Sequence, residues 1–346
     1  MVGLRLQTLA DVSKWHVDPS ARFHSATHEE IAAGATTDIY FLKTLEVLRN
    51  LGLDEKPVVA EIFARTDGIL AGVAECRHLL AGCGVEVWSL PEGASFNARE
   101  VVMRIEGPYG RFGPYETALL GSLASASGWA TAARQVKEAA GDKPVFCFGA
   151  RHVHPAVAPV MERAAMVGGA DGAACILGAK LLGREPVGTM PHALFLIVGD
   201  SVEAALAYDR FMPPGAPRTV LVDTFKDEAE ESLRVALALG ERLQGVRLDT
   251  PGERGGVTPG LVAEVRARLD QAGFQHVRIF VSGGLTPERI RALAQVGADA
   301  FGVGSYISAA PPIDMTMDIK EVDGRPVAKR GRIPGRTPAP RLERLL

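Results

Sequence analysis

The sequence predicts an α/β protein in two parts: an α+β domain with an antiparallel sheet, then parallel βα units that close into a TIM-like barrel. Three observations carry this reading. The chain has 346 residues, more than one compact domain usually holds. Its texture changes near Gly107 to Pro114. Beyond that point short apolar runs alternate with helical stretches, as strands buried on both faces do.

Taken in order, the segment from Asp38 to Leu53 places Ile39, Leu42, Leu45, Leu48 and Leu51 on one helical face. VVAEIFA, the turn Thr66-Asp67-Gly68, ILAGVAE, VEVWSL and VVMRIEG then read as strands broken by glycine turns. A long helix rich in Ala and Leu is expected from Glu116 to Ala140. After it come candidate strands at 144–151, 186–194, 218–225, 245–250, 277–284 and 300–307. The helical stretches between them include SVEAALAYDRFM, DEAEESLRVALALG, GLVAEVRARLDQAG and PERIRALAQVG. Such units either close into a barrel or form an open doubly wound sheet. A GxGxxG fingerprint after the first strand, which a dinucleotide-binding sheet would want, is missing. The residues suited to chemistry cluster just after the strands, where a barrel keeps its active face. The expected domains are 1–115, completed by 309–346, and 116–308.

Composition narrows the function. With 47% hydrophobic residues the chain can bury a sizeable core, and a formal net charge of -3 gives no electrostatic reason to expect nucleic acid or an anionic membrane. No apolar run reaches a membrane span, and MVGLRLQTLADVSKW lacks the continuous apolar core of a signal peptide. The four cysteines, Cys76, Cys83, Cys147 and Cys175, form no CxxC pair and read as buried, reduced thiols of a cytoplasmic protein. An anionic ligand must then be held locally, by a few arginines and backbone amides.

The last two candidate strands end in Ser282-Gly283-Gly284 and in Gly302-Val303-Gly304-Ser305. Thr286 is placed as an N-cap and Pro287 as the first helical residue behind the first of these loops. Glycines let amides approach an oxyanion, and this position late in a barrel is a frequent phosphate site. Asp223 in LVDTF and Asp249 in VRLDT stand at strand ends, where carboxylates suit Mg²⁺ or ribose hydroxyls, although each could merely cap a helix. Arg247 precedes Asp249 by two, which puts both side chains on one face of a strand. Arg151, His152 and His154 follow FCFGA; a guanidinium there matches carboxylate or phosphate, and His152 reads as a bystander. His192, in GTMPHAL, is expected at another strand end, as proton carrier, phosphate partner or nucleophile. These groups describe a site for phosphate, a divalent cation, hydroxyls and a carboxylated substrate.

At this point the motifs resemble the nicotinate phosphoribosyltransferase family, in its shorter form that is also close to quinolinate phosphoribosyltransferase. The pieces include TTDIYFLKT (36–44), PYETALLGSLASASGWAT (114–131), FGARHVHP (148–155), GGADGAACILGAKLLG (168–183), GTMPHAL (188–194), VDTF (222–225), GVRLDT (245–250), IFVSGGL (279–285), GVGSYIS (302–308) and VDGRPVAKRGR (322–332). The resemblance implies an N-terminal α/β sandwich domain plus an irregular TIM-like β/α barrel, in dimers whose active sites use both subunits. It implies nicotinate and phosphoribosyl diphosphate as substrates, Mg²⁺ as cofactor and ATP as co-substrate. On it Asp38 and Tyr40 reach the neighbour's site, with Tyr40 stacking on the pyridine ring. Arg151 contacts base or diphosphate, and His154 is carried with it as a substrate contact. Arg247 and Asp249 lie beside the ribose, while Asp223 assists with ribose or Mg²⁺. The loops at Ser282 to Gly284 and at Gly302, Gly304 and Ser305 hold the 5′-phosphate. His192 matches the histidine that is phosphorylated when ATP hydrolysis is coupled to synthesis.

Two departures bear on specificity. Asp171 in GGADG occupies a place where nicotinamide-using relatives carry Asp and the longer nicotinate enzymes carry Ser. A carboxylate beside that of nicotinate would repel it, so nicotinamide stays open as a substrate. The tail RIPGRTPAPRLERLL lacks the cysteine cluster of some short relatives, so no metal of that kind is expected. Quinolinate transfer with decarboxylation and a non-catalytic nucleotide sensor are the rival readings.

Overall fold

The structure, a computed structural model, describes residues 7–14 and 24–346. The expectation about a leader segment falls in part on residues outside that range. Two compact units divide the chain within the helix Glu116–Ala140, one formed by Met1–Thr131 with Pro311–Leu346 and the other by Ala132–Ala310.

The first unit is built on an antiparallel sheet. Its strands are β1 (Pro57–Ala64), β3 (Glu86–Ser89), β5 (Val101–Pro108) and the late β12 (Met315–Val322), β13 (Arg325–Pro326) and β14 (Glu343–Arg344), while β2 (Gly68–Ile69) pairs with β4 (Ser95–Phe96). The order is β13-β12-β1-β5-β3-β14, so the C-terminal segment returns to both edges of a sheet begun by the N-terminal part. Ile62, Val87, Met103, Ile105, Phe112 and Leu119 are buried in its core. Glu61 of β1, itself buried, accepts Arg104 Nε at 3.0 Å and the N–H of Thr337 at 3.0 Å, which ties the C-terminal segment to the sheet centre.

Two expectations change here. The predicted strand ILAGVAE is mostly not one; a helix runs over Val73–Leu80 instead. Its N–H groups find side chains rather than a ladder, Ile69 donating to Thr131 Oγ1, Ala71 to Ser127 Oγ and Gly72 to Glu92 Oε1. The helix Ile39–Asn50 forms where expected, but it buries Phe41, Leu42 and Leu45 while Ile39 and Leu51 lie exposed.

The second unit holds six parallel strands: β6 (Val145–Cys147), β7 (Gly172–Ala173), β8 (Thr219–Leu221), β9 (Gly245–Leu248), β10 (Arg278–Ser282) and β11 (Ala300–Val303). Their order is β7-β6-β11-β10-β9-β8. Burial is nearly continuous along them, as expected of strands covered on both faces. The segment 186–194, expected as a strand, is none. Pro186 and Pro191 have no N–H to give a ladder, so only Val187 pairs, donating to Ala173 O at 2.9 Å. His192 opens the helix His192–Val198 and bonds Asp223 just beyond β8. One irregular segment thus touches both edge strands, which gives the barrel-like unit its irregular closure.

No helix of the described residues is long and apolar enough to cross a membrane. All four cysteines are free; Cys76 and Cys147 are buried, and burial pushes both thiols up, while Cys83 and Cys175 are half-buried.

Candidate active site

A cavity of about 410 Å³ opens at the C-terminal ends of the parallel strands. Short apolar strands end in polar or glycine residues here, so each βα turn delivers one or two side chains to a common space. Arg151, Arg247, Asp249, Ser282 and the glycines at 283, 284, 302 and 304 line it, together with Ser305.

Arg247 is the organising group. Its Nε donates to Ser282 Oγ at 2.9 Å, Nη1 to Thr189 Oγ1 at 2.9 Å and Nη2 to Asp249 Oδ2 at 3.0 Å. Ser282 Oγ in turn donates to Asp249 Oδ1 at 2.8 Å. The guanidinium also stands 5.5 Å from the centre of the Phe148 ring. Burial lowers the pKa of Arg247, and the Asp249 and Asp223 carboxylates oppose that shift. Ser282 therefore lines the cavity, but its hydroxyl is already committed to the Arg247–Asp249 pair. The backbone turns sharply behind it, with φ of 91° at Gly283 and 57° at Gly284. Arg289 fixes that turn by donating to Gly284 O at 2.8 Å and Val257 O at 3.0 Å. Thr286 caps the helix Pro287–Ala294 as its sequence position predicts.

His192 and Asp223 stand beside this group. Pro191 lines the cavity and His192 follows it, with Nε2 3.1 Å from Asp223 Oδ2. The Asp223 side chain is wholly buried, and burial raises its pKa against the pull of His192. Its Oδ1 has no hydrogen-bond partner.

Two expected substrate contacts, Asp171 and His154, lie outside the cavity lining. Asp171 precedes β7, at the opposite end of the strands, where it accepts the Val145 N–H at 2.8 Å and pairs with Lys137 at 2.9 Å. The residue of that segment that does face the cavity is Ala174, which carries no charge to repel a carboxylate. His154 is outside the cavity lining, its Nδ1 taken by the Ala156 N–H in a local turn. Asp38 and Tyr40 belong to the first unit; Asp38 donates its N–H to Thr117 Oγ1, and Tyr40 is 54% exposed.

Sequence reasoning missed Phe148, Thr189 and Ala174 and set His152 aside. Phe146 and Phe148 alternate along one strand and both stack on Phe280 at 5.8 Å, a period-two signal that was available. His152, read as a bystander, lines the cavity, and its Nδ1 lies 3.1 Å from Ser308 Oγ.

The residues can meet a divalent cation only in part. Among the described residues no group of three or more His, Cys, Asp or Glu could hold a metal. Asp223, with its unpartnered oxygen, and Asp249 fit the pattern of Mg²⁺, which takes one or two carboxylates and completes its shell from phosphates and water.

The family model described as quinolinate phosphoribosyl transferase, N-terminal domain, matches residues 38–127, and that for the C-terminal domain matches 129–318. A nicotinate phosphoribosyltransferase of Mycobacterium tuberculosis is 33% identical over 249 residues, 69% of this chain and 52% of the relative. One from Bacillus subtilis is 30% identical over 64% of this chain and 46% of its own length. The chain thus spans about half the length of these curated relatives. A crystal structure of nicotinate-nucleotide pyrophosphorylase from Pyrococcus furiosus superposes with a TM-score of 0.87 at 48% identity, covering 91% of this chain and 82% of that one.

Proposed function

Because the chain belongs to the quinolinate phosphoribosyl transferase family, we propose that it joins nicotinate to phosphoribosyl diphosphate, with ATP hydrolysis coupled through His192. The observation that carries this reading is the His192–Asp223 pair beside a cavity lined by Arg151, Arg247 and Asp249. A carboxylate-held imidazole is suited to taking up and releasing a phosphoryl group.

On this reading the bond from ribose C1 to the diphosphate oxygen breaks and the pyridine nitrogen lone pair forms the new C1–N bond. Positive charge grows on the ribose and negative charge on the leaving group, so preorganised charges give the rate. Asp249, held by Arg247 and Ser282, faces the ribose side. Arg151 and Arg247 meet the anionic groups, and Phe148 backs the Arg247 guanidinium. The amides at Gly283, Gly284, Gly302, Gly304 and Ser305 receive the 5′-phosphate. Bound Mg²⁺ would neutralise charge on the diphosphate, with Asp223 and Asp249 as its protein ligands. Asp223 engages Nε2 of His192, which leaves Nδ1 to take the γ-phosphoryl group of ATP as ADP departs; water later returns it as phosphate. Asp38 and Tyr40 serve the neighbouring site of a dimer. The absence of a carboxylate at Ala174 favours nicotinate over nicotinamide.

A second reading, quinolinate transfer, draws on the Pyrococcus furiosus neighbour. The deciding experiment is a panel of nicotinate, nicotinamide and quinolinate with and without ATP, read by mononucleotide and CO₂. Turnover of nicotinate, faster with ATP, is expected. Turnover of quinolinate alone, with CO₂ release, overturns the proposal; binding without any turnover favours a nucleotide sensor.

A further inference from the structure

The helix Ala158–Gly168 turns one carboxylate inward, that of Glu162, which has no solvent exposure. Its Oε1 accepts the Ala150 N–H at 3.1 Å and its Oε2 the Cys175 N–H at 2.5 Å. These two amides belong to the two loops that leave β6 and β7. A carboxylate has about four lone-pair sites and no donor, so it suits converging N–H groups as no neutral side chain does. Burial raises its pKa and the amides oppose the rise. Packing is tight around it, since a Cβ at Gly178 would stand 3.2 Å from that of Glu162.

The first loop carries Arg151 and His152 into the cavity and the second carries Ala174. Glu162 reaches neither the cavity nor its lining, yet it holds both walls by their backbones.

We propose that Glu162 is a positioning residue that fixes the separation between the Arg151 wall and the Ala174 wall, and thereby sets substrate affinity. The kinetic part rests on the phosphoribosyl-transfer reading; the link from carboxylate to amides does not.

The test uses the full chain with Glu162→Gln and Glu162→Ala. The Gln variant keeps the shape but turns an NH₂ group towards N–H donors. Native-state hydrogen exchange at Ala150 and Cys175 should quicken by about 10-fold or more, while amides of β9 and β10 stay protected. With whichever base the enzyme uses, KM should rise about 10-fold with kcat changed by less than about 3-fold. In the Ala variant, formate or acetate should restore affinity and acetamide should not. Unchanged exchange in the Gln variant overturns the proposal, as does a lowered melting temperature with KM unaltered. Should no base be turned over, exchange alone decides, and the fault then lies with the assigned reaction. Should the Ala variant fail to fold, the Gln variant decides.

Discussion

Asp223 holds His192 Nε2 at 3.1 Å through one carboxylate oxygen and keeps the other buried without a partner. The bonded oxygen fixes the ring orientation and turns Nδ1 away from Asp223. His192→Ala should abolish stimulation by ATP and leave slow ATP-independent synthesis. Asp223→Asn, which keeps the shape and loses the charge, should lower ATP-stimulated turnover by about 10- to 100-fold. Rates at saturating base, with and without ATP, check both. Full ATP stimulation in His192→Ala would remove the histidine from the mechanism.

Arg247 spends its guanidinium in three directions, on Ser282, Thr189 and Asp249. A lysine ammonium keeps the charge but cannot span those acceptors as a planar fork does. Arg247→Lys should therefore reduce kcat/KM by at least about 100-fold, or about 2.7 kcal/mol of transition-state stabilisation. Steady-state kinetics with both substrates reads this. A loss under about 3-fold would mean that charge alone matters at this position.

Much of this site was legible because strands place their ends together. Arg247 on β9 and Asp249 just past its end are two apart and do share the cavity side. The Thr286–Pro287 helix start was readable from capping chemistry alone. Where reading failed, a single bond or packing contact decides the outcome. The 186–194 run is apolar enough for a strand, yet two prolines deny it a ladder. Asp171 sits just before a two-residue strand, too short to show from sequence which end is which, and only its bond to Val145 places it away from the cavity. Glu162 looks like any helix acid until the loops it gathers are seen. Its two amide partners lie in separate stretches of sequence, and no local pattern records that.

Gly302 makes room for the aromatic floor. A Cβ there would fall 2.6 Å from Phe148 Cε2 and 3.0 Å from Phe280 Cε1, closer than side-chain atoms pack. Gly302→Ala must shift Phe148, and with it the ring beneath the Arg247 guanidinium. Overpacking of this kind costs about 1–3 kcal/mol. A fall of about 10-fold in kcat/KM should accompany a lower denaturation midpoint with an unchanged slope. A variant of native stability and activity would show that the ring has slack and that its placement does not matter.

Glu116 opens the helix Glu116–Ala140, and its carboxyl is pushed up to about 7, first by burial and then by the Asp318 carboxylate, against the pull of Lys329. A folded-state pKa above the unfolded value of 4.5 means that the native protein binds the extra proton between those limits. Stability contributed by this group is therefore lost as pH rises from about 4.5 to about 7, the reverse of a salt-bridged carboxylate. The site is partly solvated, so the penalty at about pH 8 is on the order of 1 kcal/mol rather than the full value of the shift. Glu116→Gln removes the charge and should stabilise the protein by about that amount at pH 8, with the gain fading below about pH 5. Urea denaturation at the two pH values measures it. An equal gain at both would assign the effect to packing, and a loss at pH 8 would show that the ionised carboxylate has a favourable partner.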